Sequence, residues 1–183
     1  MIEGATEVLA RRGLQATAFS EVLALTGASR GSIYHHFPGG KAELIAAVLD
    51  QYAARLDDAL RALHGRPAMA VVDGAFDVWR ARLARSDCES GCPVAALIVA
   101  ADSARMLADC RVAFTQWRDT LAAALRAGGW APQPAGEFAT LMLAALQGAV
   151  TLARAEGQLA PFDIVAEQLR AQAACFGRLE FAI

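Results

Sequence analysis

Residues 17–41 read TAFSEVLALTGASRGSIYHHFPGGK, and the spacing in this stretch decides the fold. Phe19, Val22 and Leu23 stand three and four apart, the period of a helix that buries one face. Gly27 closes that helix, because glycine alone takes the positive φ of a sharp turn at no steric cost. Ser29 suits the N-cap of a following short helix, whose inward residues are Ile33 and Phe37, and Pro38-Gly39-Gly40 breaks it.

Two short helices joined by a tight glycine turn form a helix-turn-helix, a device for placing one helix in the major groove of DNA. With Ile33 and Phe37 turned inward, Arg30, Ser32, Tyr34, His35 and His36 are expected on exposed faces. Arginine can bond guanine O6 and N7 with two parallel hydrogen bonds, whereas serine and histidine read base edges less strictly. Ser29 caps a helix whose free N–H groups and positive dipole end suit a phosphate or base edge. Thr17 and Lys41 stand at the expected starts of the second and fourth helices, where hydroxyl, amide and ammonium groups hold phosphates. Residues 1–48 carry Arg11, Arg12, Arg30 and Lys41 against Glu3, Glu7, Glu21 and Glu43, so no basic excess marks this region. The DNA reading therefore rests on pattern rather than on charge.

Helical periodicity continues outward in both directions. Ile2, Ala5, Val8 and Leu9 form one face of a first helix that stops at Gly13. A long fourth helix runs from about residue 41 to 63, with Leu44, Ile45, Val48, Leu49, Tyr52, Leu56 and Leu60 along one stripe. Further helices are expected over about 67–84, 92–101, 103–127 and 137–156, with a last one from about 161. Residues 128–136, with two prolines, read as a linker. The expected fold is all-α, about nine helices, with a DNA-binding domain over 1–48 and a ligand-binding and dimerisation domain over 49–183.

Of the 183 residues 56% are hydrophobic, and the net charge is −2. So large an apolar fraction predicts a core rich in small residues, or extensive burial between subunits. The uncharged run 138–153 falls short of the roughly 20 apolar residues that a membrane span needs, and it reads as a buried helix. No signal segment opens the chain, so a cytoplasmic location is expected. Cys88 and Cys92 lack the second ligand pair of a structural zinc site, and no metal or cofactor is expected.

Gly13, Thr17, Val22, Gly27, Ser29, Gly31, Ser32, Ile33, Tyr34, His36, Phe37 and Lys41 together resemble the N-terminal pattern of TetR-family transcriptional regulators, with Ser-Arg-Gly-Ser-Ile-Tyr-His-His-Phe the most specific part. The resemblance implies a homodimer whose two third helices enter successive major grooves of a near-palindromic double-stranded operator. It implies that Thr17, Tyr34, His36 and Lys41 touch the DNA backbone and that Arg30, Ser32 and His35 lie nearest the bases. Leu23, Thr26 and Ala28 are mild departures, and Gly39-Gly40 replaces a polar pair. Part of the basic arm that precedes the first helix in this family is expected to be missing.

Residues 90–97, Ser-Gly-Cys-Pro-Val-Ala-Ala-Leu, resemble a subgroup of that family that regulates multidrug efflux or responds to aromatic compounds. That resemblance implies a small lipophilic or aromatic effector, for which Phe76, Trp79, Val94, Ile98, Phe114, Trp117 and Met142 are candidate pocket residues. Ordinary core packing explains the same apolar stripes. In the last two helices Ala145 and Gly148 permit close backbone approach, while Leu141, Leu152, Val165 and Leu169 would bury area across a four-helix dimer interface. Two alternatives stay open: a thiol-based redox-sensing repressor using Cys88 and Cys92, and a helical enzyme that turns over its ligand. Against the enzyme, the chain shows no nucleophile–base set, phosphate loop or paired metal motif.

Overall fold

The computed structural model describes residues 1–179, with side chains as far as Cys175. The described residues form nine helices and no strand: α1 (Ile2–Ala16), α2 (Phe19–Thr26), α3 (Arg30–His36), α4 (Lys41–Arg61), α5 (Ala68–Arg85), α6 (Pro93–Ala100), α7 (Ala104–Ala127), α8 (Pro132–Glu156) and α9 (Ala160–Leu179). By packing, the chain divides into two compact units. The first joins Met1–Arg55 to Ser90–Ala113, and the second joins Leu56–Glu89 to the chain from Phe114 onward. Packing thus divides the chain differently from a cut at residue 48, because α6 and the start of α7 return to the N-terminal helices.

In the first unit α1 packs on α2 and on α6, and α2 packs on α3. Ala5, Val8, Leu9, Val22, Ile33, Leu44, Ile45 and Val48 form its interior together with Val94 and Leu97. Gly13 (φ 79°, ψ 179°) interrupts the helical geometry of α1, and a last turn continues to Ala16. In the second unit α9 packs on α8 and α5, and α5 packs on α8. Phe76 meets Phe162 edge to face at 6.2 Å, Trp130 meets Phe138 at 5.1 Å, and Trp117, Leu121 and Leu125 are fully buried.

The structure shortens the expected 128–136 linker to four residues, because α8 begins at Pro132 rather than near residue 137. Prolines in the first helical turn lack only N–H groups that have no intrahelical partner, so they start a helix as readily as they break one. α8 is long and apolar enough to cross a membrane by length and composition. Here Phe138, Met142, Leu143, Leu146, Ala149 and Val150 are buried within the chain.

Candidate functional site

Local chemistry builds the reading helix. Gly27 lies in the left-handed region (φ 68°, ψ 8°) and its N–H closes α2 on the Leu23 carbonyl at 2.9 Å. Two residues later the Ser29 hydroxyl accepts a hydrogen bond from the Ser32 N–H at 3.2 Å. That bond satisfies one of the four free donors at the start of α3. Ile33 and Phe37 are buried and fix the inner side of α3, which leaves Arg30, His35 and His36 exposed, Ser32 half-buried and Tyr34 61% exposed. The Tyr34 ring leans edge-on against Phe19 of α2 at 5.3 Å, and the rings of His35 and His36 stand 5.5 Å apart. A seven-residue helix thus presents a guanidinium, a phenol and two imidazoles to solvent around the side that Ile33 and Phe37 leave free.

Two residues expected to contact phosphates have hydrogen-bond partners within the chain. Thr17 is fully buried, and its hydroxyl donates to the Gly13 carbonyl at 2.9 Å. It closes α1 rather than opening α2, whose N-cap is Ala18. The Lys41 ammonium donates to the carbonyls of Leu14 at 2.6 Å and Gln15 at 3.4 Å. There it neutralises the negative dipole end of α1, and that use competes with holding a phosphate.

Of the expected pocket residues, Phe76, Trp79, Trp117 and Met142 are buried and Phe114 half-buried in the second unit. Val94 is buried in the first unit, to which Ile98, 40% exposed, also belongs. Among the expected interface residues, Leu141, Gly148 and Leu152 are exposed, and Ala145 and Val165 half-buried. Leu169 is only 6% exposed and belongs to the core of its own chain, so it has little area left for a partner. Ile164, at 61% exposure, extends the outer apolar surface of α8 and α9 in its place.

Three features escaped the sequence reading. The Asp57 carboxylate is buried beneath α7, where it accepts from the Arg61 guanidinium at 2.5 Å, the Gln116 amide at 2.8 Å and the Thr120 hydroxyl at 2.6 Å. Burial acts to raise its pKa, but the hydrogen bonds from Thr120, Arg61 and Gln116 outweigh it and hold the group below the usual carboxylate value. Second, α6 is tied to α1: the Gly91 N–H donates to the Ala10 carbonyl at 2.9 Å, and the Ser90 hydroxyl donates to Glu7 at 3.2 Å. The sequence flagged residues 90–97 as a motif without showing that their first two residues grip α1. Third, the Trp79 indole N–H is buried with no hydrogen-bond partner among the described residues.

Cys88, Cys92 and Cys110 are buried thiols, whereas Cys175 is exposed. Cys88 is buried, and burial, then the charges of Asp87 and Asp163, push its thiol up. Burial likewise raises Cys110. A thiol that resists ionisation is a weak nucleophile.

The fold and the exposed face of α3 define a helix-turn-helix transcriptional regulator. The family model described as bacterial regulatory proteins, tetR family, matches residues 1–48, and that described as the C-terminal domain of LmrA/YxaF-like transcriptional regulators matches residues 67–168. An uncharacterized HTH-type transcriptional regulator of Mycobacterium tuberculosis (strain ATCC 25618 / H37Rv) is 36% identical over 177 residues, which cover 93% of this chain and 90% of that protein. The HTH-type transcriptional regulator LmrA of Bacillus subtilis (strain 168) is 25% identical over 161 residues, 83% of each chain. Among solved structures, the regulatory protein TetR from Rhodobacter sphaeroides shares the fold with a TM-score of 0.82, at 21% identity over 93% of this chain and 95% of that one. The chain belongs to the TetR family of bacterial regulatory proteins, with a C-terminal part of the LmrA/YxaF type. Membership makes it a DNA-binding transcription factor rather than an enzyme.

Proposed function

We propose that this protein is a cytoplasmic homodimeric repressor that binds a near-palindromic operator through α3 and is released by a small uncharged lipophilic or aromatic effector. Residues 1–48 serve as the DNA-binding domain and 49–183 as the ligand-binding and dimerisation domain. The outward face of α3 carries the reading: Arg30, Tyr34, His35 and His36 are exposed around a helix that Ile33 and Phe37 anchor from behind. Arg30, Ser32 and His35 then meet base edges, while Tyr34, His36 and the free N–H groups beside Ser29 meet phosphates. Two such helices must stand about 34 Å apart to enter successive major grooves.

Dimerisation through the exposed sides of α8 and α9 would set that distance, with Leu141, Gly148, Leu152 and Ile164 facing the partner. The effector occupies the aromatic interior around Phe76, Trp79, Trp117 and Met142, as apolar ligands prefer. It favours a dimer in which the two α3 helices no longer match the half-sites, a shift of population rather than a new contact with DNA. α4 acts as the lever, and the hydrogen bonds from Ser90 and Gly91 to α1 make the α6 segment a second connection to the DNA-binding head. The Gly-Cys-Pro-Val-Ala motif would then mark the coupling element shared by an effector-specific subgroup.

Binding to the DNA upstream of the protein's own gene, followed by fluorescence anisotropy at several salt concentrations, tests this. Arg30→Ala should weaken selective binding roughly tenfold or more, and Tyr34→Phe should weaken it less while leaving the contact with Phe19 intact. Salt-insensitive or sequence-indifferent binding would overturn the reading.

A further inference from the structure

Trp79 sits in the middle of α5 with 2% of its surface exposed, and its indole N–H meets no acceptor among the described residues. Its neighbours along the same face of α5 are Phe76 and Leu83, both buried, and neither side chain carries a hydrogen-bonding group. A buried donor left unpaired is rare in folded proteins and calls for a missing partner. On α8, which packs against α5, the side-chain amide nitrogen of Gln147 is also buried and has no partner among the described residues. Both orphaned atoms are donors. The indole nitrogen can only donate, so whatever satisfies it must bring an oxygen or nitrogen lone pair.

We propose that Trp79 is the specificity-determining hydrogen-bond donor of the effector site, and that the effector is a neutral aromatic molecule with a carbonyl or ether oxygen that accepts from its N–H. This rests on the effector reading given under Proposed function and narrows it to a chemical class. The indole N–H disfavours ammonium groups as its partner, because they have protons to give and nothing to accept with. A carboxylate would lose its hydration among the buried apolar side chains, and the nearby cation, the Arg170 guanidinium 5.3 Å over the Phe76 ring, is already paired with Asp73 at 2.7 Å. A hydrocarbon of the same shape would fill the space but leave the indole N–H unpaired.

Matched probes separate these cases: benzophenone against diphenylmethane, and fluorenone against fluorene, each pair differing by a carbonyl in place of a methylene. The full-length protein should bind each ketone about tenfold more tightly than its hydrocarbon partner. Trp79→Phe should erase that preference while still binding the hydrocarbons. The chain has three tryptophans, so a proton–nitrogen correlation spectrum carries three indole signals. Trp79 is assigned by Trp79→Phe or, if that variant does not fold, by elimination with Trp117→Phe and Trp130→Phe. Its indole proton should move downfield with ketone and not with hydrocarbon. Equal affinity for ketone and hydrocarbon, a preference that survives Trp79→Phe, or an indole signal indifferent to the carbonyl would each overturn the assignment of Trp79 while leaving the apolar site standing. Failure of all four probes to bind would contradict the apolar site itself, and this inference with it.

Discussion

Replacing Asp57 tests how the second unit is fastened. Its carboxylate gathers three donors, two of them from α7, 59 and 63 residues further along the chain. Asp57→Ala strands the half-buried Thr120 hydroxyl beside a cavity, whereas the exposed Gln116 amide and the Arg61 side chain, 61% exposed, can turn to water. Hydrogen bonds to a charged acceptor contribute about 1.5–3 kcal/mol each, and the loss is smaller where a partner can rehydrate. Counting Thr120 at full strength and the other two at a fraction of it, Asp57→Ala should cost about 3 kcal/mol. For a chain of this length that corresponds to a fall in melting temperature of roughly 6–12 °C. Asp57→Asn keeps the shape and one acceptor oxygen, and should cost about half as much. The pH dependence has a definite sign: the folded state holds this carboxyl below its usual pKa, so its contribution is fully present above the unfolded value of about 3.9 and is lost as pH falls through the folded one. Urea unfolding of wild type and Asp57→Asn should therefore differ by a constant amount from pH 5 to 8 and converge below about pH 4. A difference that persists unchanged to pH 3, or none at neutral pH, would refute the argument that charge at Asp57 fastens α4 to α7.

Three further changes probe other joints. Gly128→Ala would place a Cβ 2.5 Å from the Ala68 nitrogen and 2.8 Å from the Arg66 carbonyl oxygen, both backbone atoms. The chain between α4 and α5 must give way, and stability measured by urea unfolding should drop by about 2–3 kcal/mol. Lys41→Met should weaken DNA binding by loosening the end of α1, yet leave the slope of affinity against salt unchanged, whereas loss of a true phosphate contact lowers that slope by about one. Leu152→Asp, at a half-exposed position on α8, should convert dimer to monomer in sedimentation velocity without loss of helical circular dichroism.

What the sequence disclosed was local. Gly27, Ser29, Ile33 and Phe37 lie within eleven residues, and turn, cap and inward face follow from chemistry that acts over one or two helical turns. The apolar stripes of α4, α5 and α7 were equally legible, because helical period alone reveals a buried side. The partners of Thr17, Lys41 and Asp57 were not, since they depend on packing: Lys41 caps a helix that ends 25 residues earlier, and Asp57 meets α7 with two helices between them in the chain. Leu169 marks the same limit from another direction. Periodicity identifies an apolar face but not which surface covers it, so a residue of the chain's own core reads like one of an interface. The start of α8 was obscured because proline signals both a linker and a first helical turn.

The most direct test of the DNA-reading claim is the affinity of wild type and of Arg30→Ala, Ser32→Ala and His35→Ala for an operator series carrying every single-base change. If α3 reads the bases, Arg30→Ala should flatten the preference at one symmetric pair of positions by about 1–3 kcal/mol per half-site and leave the other positions discriminated as before. If all three variants keep the wild-type preference at every position, α3 is not the helix that reads the operator, and the account fails at its centre.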